Sequence, residues 1–374
     1  MKHWPEPLRR ALLKGGATAL TLPWLAASAA AATTAPLQPR PLRFPRDHGT
    51  HNDTRTEWWY LTGYGKNAGG RLFGFQVTFF RSRIDGTQTL RSRLAARHLL
   101  FAHAAITDVE GARLWHGQRM ARWNGEPPEQ REHGVFASAE DTEVVLRDWF
   151  LRRTPDGAYA TRIRSDALLI DLVAAPTQPL LLQGQAGFSR KGPDPSQASF
   201  YVSQPQLAVR GTLGLSGQRF EVAGTAWLDH EWSESLLHPD AVGWDWIGMN
   251  LDGGGSLTAF QLRRQDGSRL WAGGSFRSES GSPVRPFGPD EIRFEPLRHW
   301  TSPRTAAVYP VEWRITTPQD IYTVRAIIDP QELDGQASSG TVYWEGLSEL
   351  FDGLGKRVGR GYLEMTGYAG RLRL

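Results

Sequence analysis

Residues 72–80 read LFGFQVTFF. Phe73, Phe75, Val77 and Phe79 take alternate positions, with Gly74, Gln76 and Thr78 between them. Successive side chains leave a strand on opposite sides, so this period of two marks a β-strand with one face on a core. Residues 220–232 behave alike: Phe220, Val222, Ala226, Leu228, His230 and Trp232 share one face, and Arg219, Glu221, Thr225, Asp229 and Glu231 the other. The segment SDALLIDLVAA (165–175) also reads as a strand, and the glycine-rich runs at 65–70 and 252–255 read as hairpin loops. With 40 Gly, 24 Pro and few sustained helical stripes, the expected class is all-β.

The first 32 residues have a different character. Arg9-Arg10-Ala11-Leu12-Leu13-Lys14 precedes an uncharged, Ala-rich run to Ala32 with small residues suited to cleavage. This is the anatomy of a twin-arginine export signal, and it predicts a periplasmic or secreted protein. Lys2, Arg9, Arg10 and Lys14 against Glu6 give this segment three of the chain's four net positive charges. The remainder is nearly neutral and has no basic tract, so nothing favours a nucleic-acid partner. The chain has no cysteine, which removes thiol nucleophiles, iron–sulfur clusters and thiolate zinc sites. Residues 33–46, with four prolines, read as a linker or extended arm.

Two hairpins resemble each other. EWWYLTGYGKNAGGRLFGFQ (57–76) and GWDWIGMNLDGGGSLTAFQ (243–261) each open on paired aromatics, turn on glycines and return through an apolar strand ending Phe-Gln. Gln76 and Gln261 lie 185 positions apart, about half the chain after the leader. This predicts two similar β domains, 47–235 and 236–374.

Six ordered motifs carry a wider likeness: RTEWWYLTGY, FGFQVTFFR, WLDHEWS, GWDWIGMNL, VYWEG and GRGYLEMTGY. From about Phe44 onward the chain resembles the family of AttH-like and CrtC-like proteins, which includes carotenoid 1,2-hydratases and exported relatives described only as predicted secreted hydrolases. The resemblance implies two tandem lipocalin-like (calycin) β barrels with an apolar cavity in or between them. Its hydratase members add water across an isolated carbon–carbon double bond of an apolar polyene without a cofactor. The partner implied is an apolar, isoprenoid- or lipid-like small molecule, taken up near a membrane by a single chain.

Alkene hydration needs a proton donor and a surface that stabilises a carbocation. A carboxyl whose pKa is raised by an apolar pocket supplies the first, and indole and phenol faces supply the second. WLDHEWS (227–233) places acids beside indoles. Candidate catalytic residues are Asp229, His230, Glu231 and Asp245, with Asp229 and Asp245 favoured as the acid, His230 orienting, and Glu57 and Glu345 as further carboxyls. Candidate ligand-binding residues are Glu57, Trp58, Tyr60, Gln76, Trp232, Trp244, Trp246, Gln261 and Tyr343. The alternation is expected to turn His230 and Trp232 toward the cavity. Three other readings compete. Acids beside indoles also serve simply to satisfy N–H groups in β proteins. A carrier would need the same aromatic cavity without an acid of shifted pKa. A hydrolase is the weakest, since no G-x-S-x-G is present and LGLSGQ (213–218) reads as a turn. Asp229, His230, Glu231, Glu234 and His238 offer metal donors, but without a zinc-type spacing, so no metal and no cofactor are expected.

Overall fold

The computed structural model describes residues 36–371 apart from 93, 130–133 and 236; the twin-arginine segment lies outside the described residues. Two antiparallel sheets account for the chain. The first is built from β1 (Thr56–Lys66), β2 (Leu72–Arg83), β3 (His98–Asp108), β4 (Arg113–Trp123), β5 (Val135–Ala137), β6 (Glu143–Leu146), β7 (Trp149–Arg153), β8 (Tyr159–Arg164), β9 (Leu168–Ala175), β10 (Leu181–Leu182), β11 (Phe188–Arg190), β12 (Ala198–Leu215) and β13 (Gln218–Ser233). Its order is β4-β3-β2-β1-β13-β12-β9-β8-β7-β6-β5, and β4 returns against β5 and β6, nearly closing a barrel. The second comprises β14 (Gly243–Leu251), β15 (Ser256–Arg263), β16 (Arg269–Arg277), β17 (Arg285–Phe287), β18 (Arg293–Thr301), β19 (Val308–Thr316), β20 (Ile321–Ala326), β21 (Glu332–Gly335), β22 (Thr341–Phe351) and β23 (Arg357–Met365). Its order is β17-β16-β15-β14-β23-β22-β20-β19-β18. The run β3-β2-β1-β13-β12 of the first sheet has its counterpart in β16-β15-β14-β23-β22 of the second. No helix among the described residues is long and apolar enough to cross a membrane.

Each sheet curls around its own core. Phe73, Phe75, Val77 and Phe79 of β2 pack inside the first barrel with Trp59, Leu61, Val222, Ala226 and Leu228, as their alternation predicts. Ile247 and Met249 of β14 and Leu257 and Ala259 of β15 do the same in the second. The segment 213–218 is the tight β12–β13 turn, with Ser216 and Gly217 at φ +48° and +80°, the pair of positive angles a two-residue hairpin requires.

The outer faces of the central strands are not solvated. Tyr60, Trp227, Trp246, Phe260, Leu347 and Tyr362 form a third core between the barrels. Strands buried on both faces lose the polar half of their alternation. That is why β15, SLTAFQLR, is buried at every position. Gln206 staples the barrels. It sits in the left-handed region (φ +54°) at a bulge of β12, its N–H donates to Asn250 Oδ1 (2.8 Å), and its side-chain amide donates to the carbonyls of Leu251 (2.9 Å) and Gly255 (2.8 Å).

The proline-rich segment is an arm laid on the first barrel. Leu37 and Leu42 pack against Phe200, Val202 and Trp232, and the Arg40 guanidinium donates to both Asp47 oxygens at 2.9 and 2.7 Å. The two resembling hairpins close at Lys66↔Leu72 and Asn250↔Ser256, an offset of 184 (250 minus 66). Gln76 and Gln261, 185 apart, therefore stand on opposite faces. Gln76 faces the other barrel, whereas Gln261 sits opposite Asp245, on the face that carries Leu257 and Ala259.

Candidate functional site

Between the barrels lies a cavity of about 100 Å³. Six central strands line it from alternate positions: Trp58 and Tyr60 of β1, Thr78 and Phe80 of β2, Asp229 and Glu231 of β13, Trp244 and Trp246 of β14, Phe260 and Leu262 of β15, and Tyr343 and Glu345 of β22. Tyr201 of β12, Glu364 of β23, Lys191, and Ser233, Ser235 and Leu237 at and beyond the end of β13 complete the wall. Strand register sets the carboxyls: Tyr60 pairs with Asp229, Trp58 with Glu231, Trp246 with Glu364, and Glu345 with Glu364.

Asp229 is 3 % exposed. Its Oδ1 accepts from Ser203 Oγ (2.5 Å) and Trp227 Nε1 (2.7 Å), and its Oδ2 from the Tyr201 hydroxyl (2.7 Å). Tyr201 in turn accepts from Trp246 Nε1 at 2.9 Å. Burial nevertheless prevails over these three donors and pushes Asp229 up to about 7. Burial raises Glu364 to about 8 against a hydrogen bond from Trp244, with Asp229 and Glu231 adding repulsion. It also raises Glu345 well above the ordinary range, reinforced by Glu364. Gln76 Nε2 donates to Glu345 Oε2 and, at 3.2 Å, to the Tyr343 hydroxyl, which also meets His103 Nδ1 at 2.8 Å. Glu231 Oε1 pairs with Lys191 Nζ at 3.0 Å. That ammonium lies 4.5 Å from the Tyr201 ring centre and 4.3 Å from that of Phe260. Among the described residues, Asp229, Glu345 and Glu364 have no basic side chain in ion-pair contact. The site is thus two buried carboxyls, Asp229 and Glu345, and the half-buried Glu364, neutral or poised near neutrality and facing indole and phenol rings.

Of the residues expected at the site, Trp58, Tyr60, Asp229, Glu231, Trp244, Trp246 and Tyr343 line this cavity, as does Glu345. His230 and Trp232 do not, contrary to the expectation. They share the face of Ala226 and Leu228, which points into the first barrel. There His230 stacks on Trp59 (ring centres 4.7 Å apart), and Trp232 stacks on His51 at 3.8 Å. Glu57 belongs to the same cluster. Its Oε1 meets His51 Nδ1 at 2.8 Å and His230 Nε2 at 2.9 Å, and its Oε2 accepts from Arg81 Nε at 2.9 Å. Burial opposes ionisation of Glu57, but Arg81 and then the two histidines outweigh it and hold the carboxyl well below its usual value. His51, Glu57 and His230 bring their ligand atoms within 4.8 Å, a metal-like spacing. However, Glu57 also faces the Arg81 guanidinium and His51 Nε2 is bound to Asp47 Oδ1 at 2.9 Å, so the donors are turned on one another.

Asp245 is also displaced. It is fully buried and lies on the face of Ile247 and Met249, held by Arg263 Nε (2.9 Å), Gln261 Nε2 (2.8 Å) and the Tyr368 hydroxyl (2.9 Å). Asp245 and Glu57 each face an arginine inside their own barrel, but burial outweighs Arg263 and raises Asp245, whereas Arg81 and the histidines hold Glu57 down. Neither they nor Gln261 reach the shared cavity, and Gln76 acts only through Glu345 and Tyr343. The other candidate metal donors separate likewise: Glu234 pairs with Arg83 at 3.3 Å, and His238 lies 3.8 Å from Asp240. Glu364 was not anticipated. The motif GRGYLEMTGY contains it, and the alternation Tyr362, Glu364, Thr366 was the available signal.

Fold and site together define a two-barrel lipocalin-like protein with an acidic, aromatic cavity at the barrel junction. The AttH-like family model matches residues 35–368, and the chain belongs to that family. A crystal structure assigned to AttH from Nitrosomonas europaea is 44% identical, covers 89% of this chain and 99% of its own, and superposes with a TM-score of 0.81. Kievitone hydratase from Nectria haematococca is 12% identical over 88% of this chain and 94% of its own, with a TM-score of 0.66. CghA bound to Sch210972 is 13% identical over 84% and 88%, with a TM-score of 0.51. These last two show a shared fold. No curated protein sequence matches the chain.

Proposed function

We propose that this is an exported, cofactor-independent hydratase or lyase acting by acid catalysis on an apolar, isoprenoid- or lipid-like alkene. One observation carries the reading: two buried carboxyls and the half-buried Glu364, none with a basic partner among the described residues, line an aromatic cavity. Burying such groups costs stability unless something offsets it, so their clustering points to chemistry. Glu364, raised to about 8, holds its proton at neutral pH and is the assigned donor. It protonates one alkene carbon. The cation left on the other carbon faces Trp58, Trp244, Trp246 and Tyr60. Water attacks that carbon and gives a proton to Asp229, which is close to half ionised near pH 7. Return of that proton to Glu364 through water closes the cycle. The reverse path eliminates water. A carrier would need the rings but not the carboxyls.

The test is incubation with geraniol and farnesol in isotopically labelled water, read by mass spectrometry. Label should enter a hydrated product with the parent protein and not with Glu364→Gln of unchanged melting temperature. Tight binding of both alcohols with no incorporation in either protein would establish the carrier instead.

A further inference from the structure

We propose that the ligand is elongated and spans two spaces, its unsaturated end in the carboxyl-lined cavity and its apolar remainder in a wider groove beyond Lys191. The inference rests on the reading above that the cavity takes an apolar alkene. At about 100 Å³ the cavity has the volume of roughly three waters, below the 300–1,000 Å³ or so of ordinary small-molecule sites. It admits one branched unit, not a whole chain. Beside it runs a groove of about 660 Å³, walled by Leu37 and Pro39 of the arm, Phe188, Trp271 and Phe287. Phe260 belongs to both walls.

What separates the spaces is the end of β11. Ser189 and Arg190 border the groove, while Lys191 turns into the cavity, reaching Glu231 and lying over Phe260. A lysine stem is unbranched and flexible, and its side chain here is 20 % exposed. Swinging it outward gives up the Glu231 ion pair and the contacts with the Tyr201 and Phe260 rings, and joins the spaces.

The groove's chemistry favours hydrocarbon over a sugar or peptide, because Gln183, the Trp271 indole N–H and Arg190 Nη2 are already engaged. Gln183 donates to Ser203 Oγ (2.9 Å) and Thr258 Oγ1 (3.2 Å) and accepts from Ser275 Oγ (2.8 Å). Trp271 Nε1 donates to the Arg190 carbonyl at 3.1 Å, and Arg190 Nη2 donates to the carbonyls of Gly192 and Pro193 at 2.9 and 2.7 Å. The ring faces are left for an apolar tail.

The experiment is quenching of intrinsic tryptophan fluorescence by geraniol, farnesol and geranylgeraniol. Affinity should rise roughly tenfold or more with each added isoprenyl unit. Pro39→Asp, an exposed change, and Trp271→Ala should abolish that rise, weakening geranylgeraniol most and geraniol, which reaches the groove with a single unit, least. Lys191→Ala should speed association of geranylgeraniol several-fold in stopped flow. Equal affinity for the three alcohols, or a length dependence untouched by both groove variants, overturns the inference. Loss of turnover in Glu364→Gln does not bear on it, since the length series reads binding alone.

Discussion

Replacing Asp229 by Asn should change the pH dependence of stability more than stability itself. In the fold Asp229 sits at about 7, against about 3.9 for an unfolded chain. Between these values the unfolded state releases a proton that the folded state keeps. Unfolding is therefore favoured increasingly as pH rises through this window, with a plateau above 7. Below pH 4 the contribution is fully present. At 1.36 kcal/mol per pH unit, the whole effect is about 4 kcal/mol. A fold of about 330 residues has an unfolding entropy near 0.7 kcal/mol/K, so this corresponds to about 6 °C in Tm. Asn cannot titrate. Scanning calorimetry of both proteins from pH 4.5 to 8.5 should show the parent losing about 5 °C relative to the variant by pH 7.5, the part of the effect that lies above pH 4.5, and no further divergence from this residue above that. A difference that is flat or of opposite slope would refute the argument. It would mean that the donors from Ser203, Trp227 and Tyr201 win over burial and hold Asp229 as a carboxylate, and a base poised near pH 7 would have to be sought elsewhere.

Arg81→Met should lower stability by about 3–5 kcal/mol in urea denaturation at neutral pH, because it leaves the buried Glu57 carboxylate without its guanidinium. Gly248→Ala places a Cβ 2.3 Å from Trp246 Cη2, so the indole must move. The expected cost is about 1–3 kcal/mol, with altered tryptophan emission and weakened alcohol binding; unchanged emission would count against tight packing above the cavity. Changing Arg9 and Arg10 together to Lys should leave the precursor in the cytoplasm, read by cell fractionation with immunoblotting, and undiminished export would rule out the twin-arginine route.

Much of this protein is written locally. Alternation in 72–80 and 220–232 places Phe73, Phe75, Val77 and Phe79 together, and separates Asp229 and Glu231 from His230 and Trp232, because a strand leaves no other arrangement. What a single strand cannot say is which face meets what. For β13 the inner face is taken by His230 and Trp232, where Glu57 meets His230 Nε2 and His51 stacks on Trp232. The outer face, which in one barrel alone would meet water, is covered by β14, β15, β22 and β23 of the other. That docking, set by contacts such as Gln206 with Asn250 and Gln76 with Glu345, brings Asp229 beside Glu364, 135 positions away (364 minus 229). The raised carboxyls are equally nonlocal. A pKa shift by desolvation depends on how much water the surroundings remove, and the residue carries no mark of it. Asp245 sits beside two tryptophans in sequence and Asp229 two positions from one. Only the tertiary structure supplies one with Arg263 and leaves the other with none, since an ion pair is decided by what stands across the space, not along the chain.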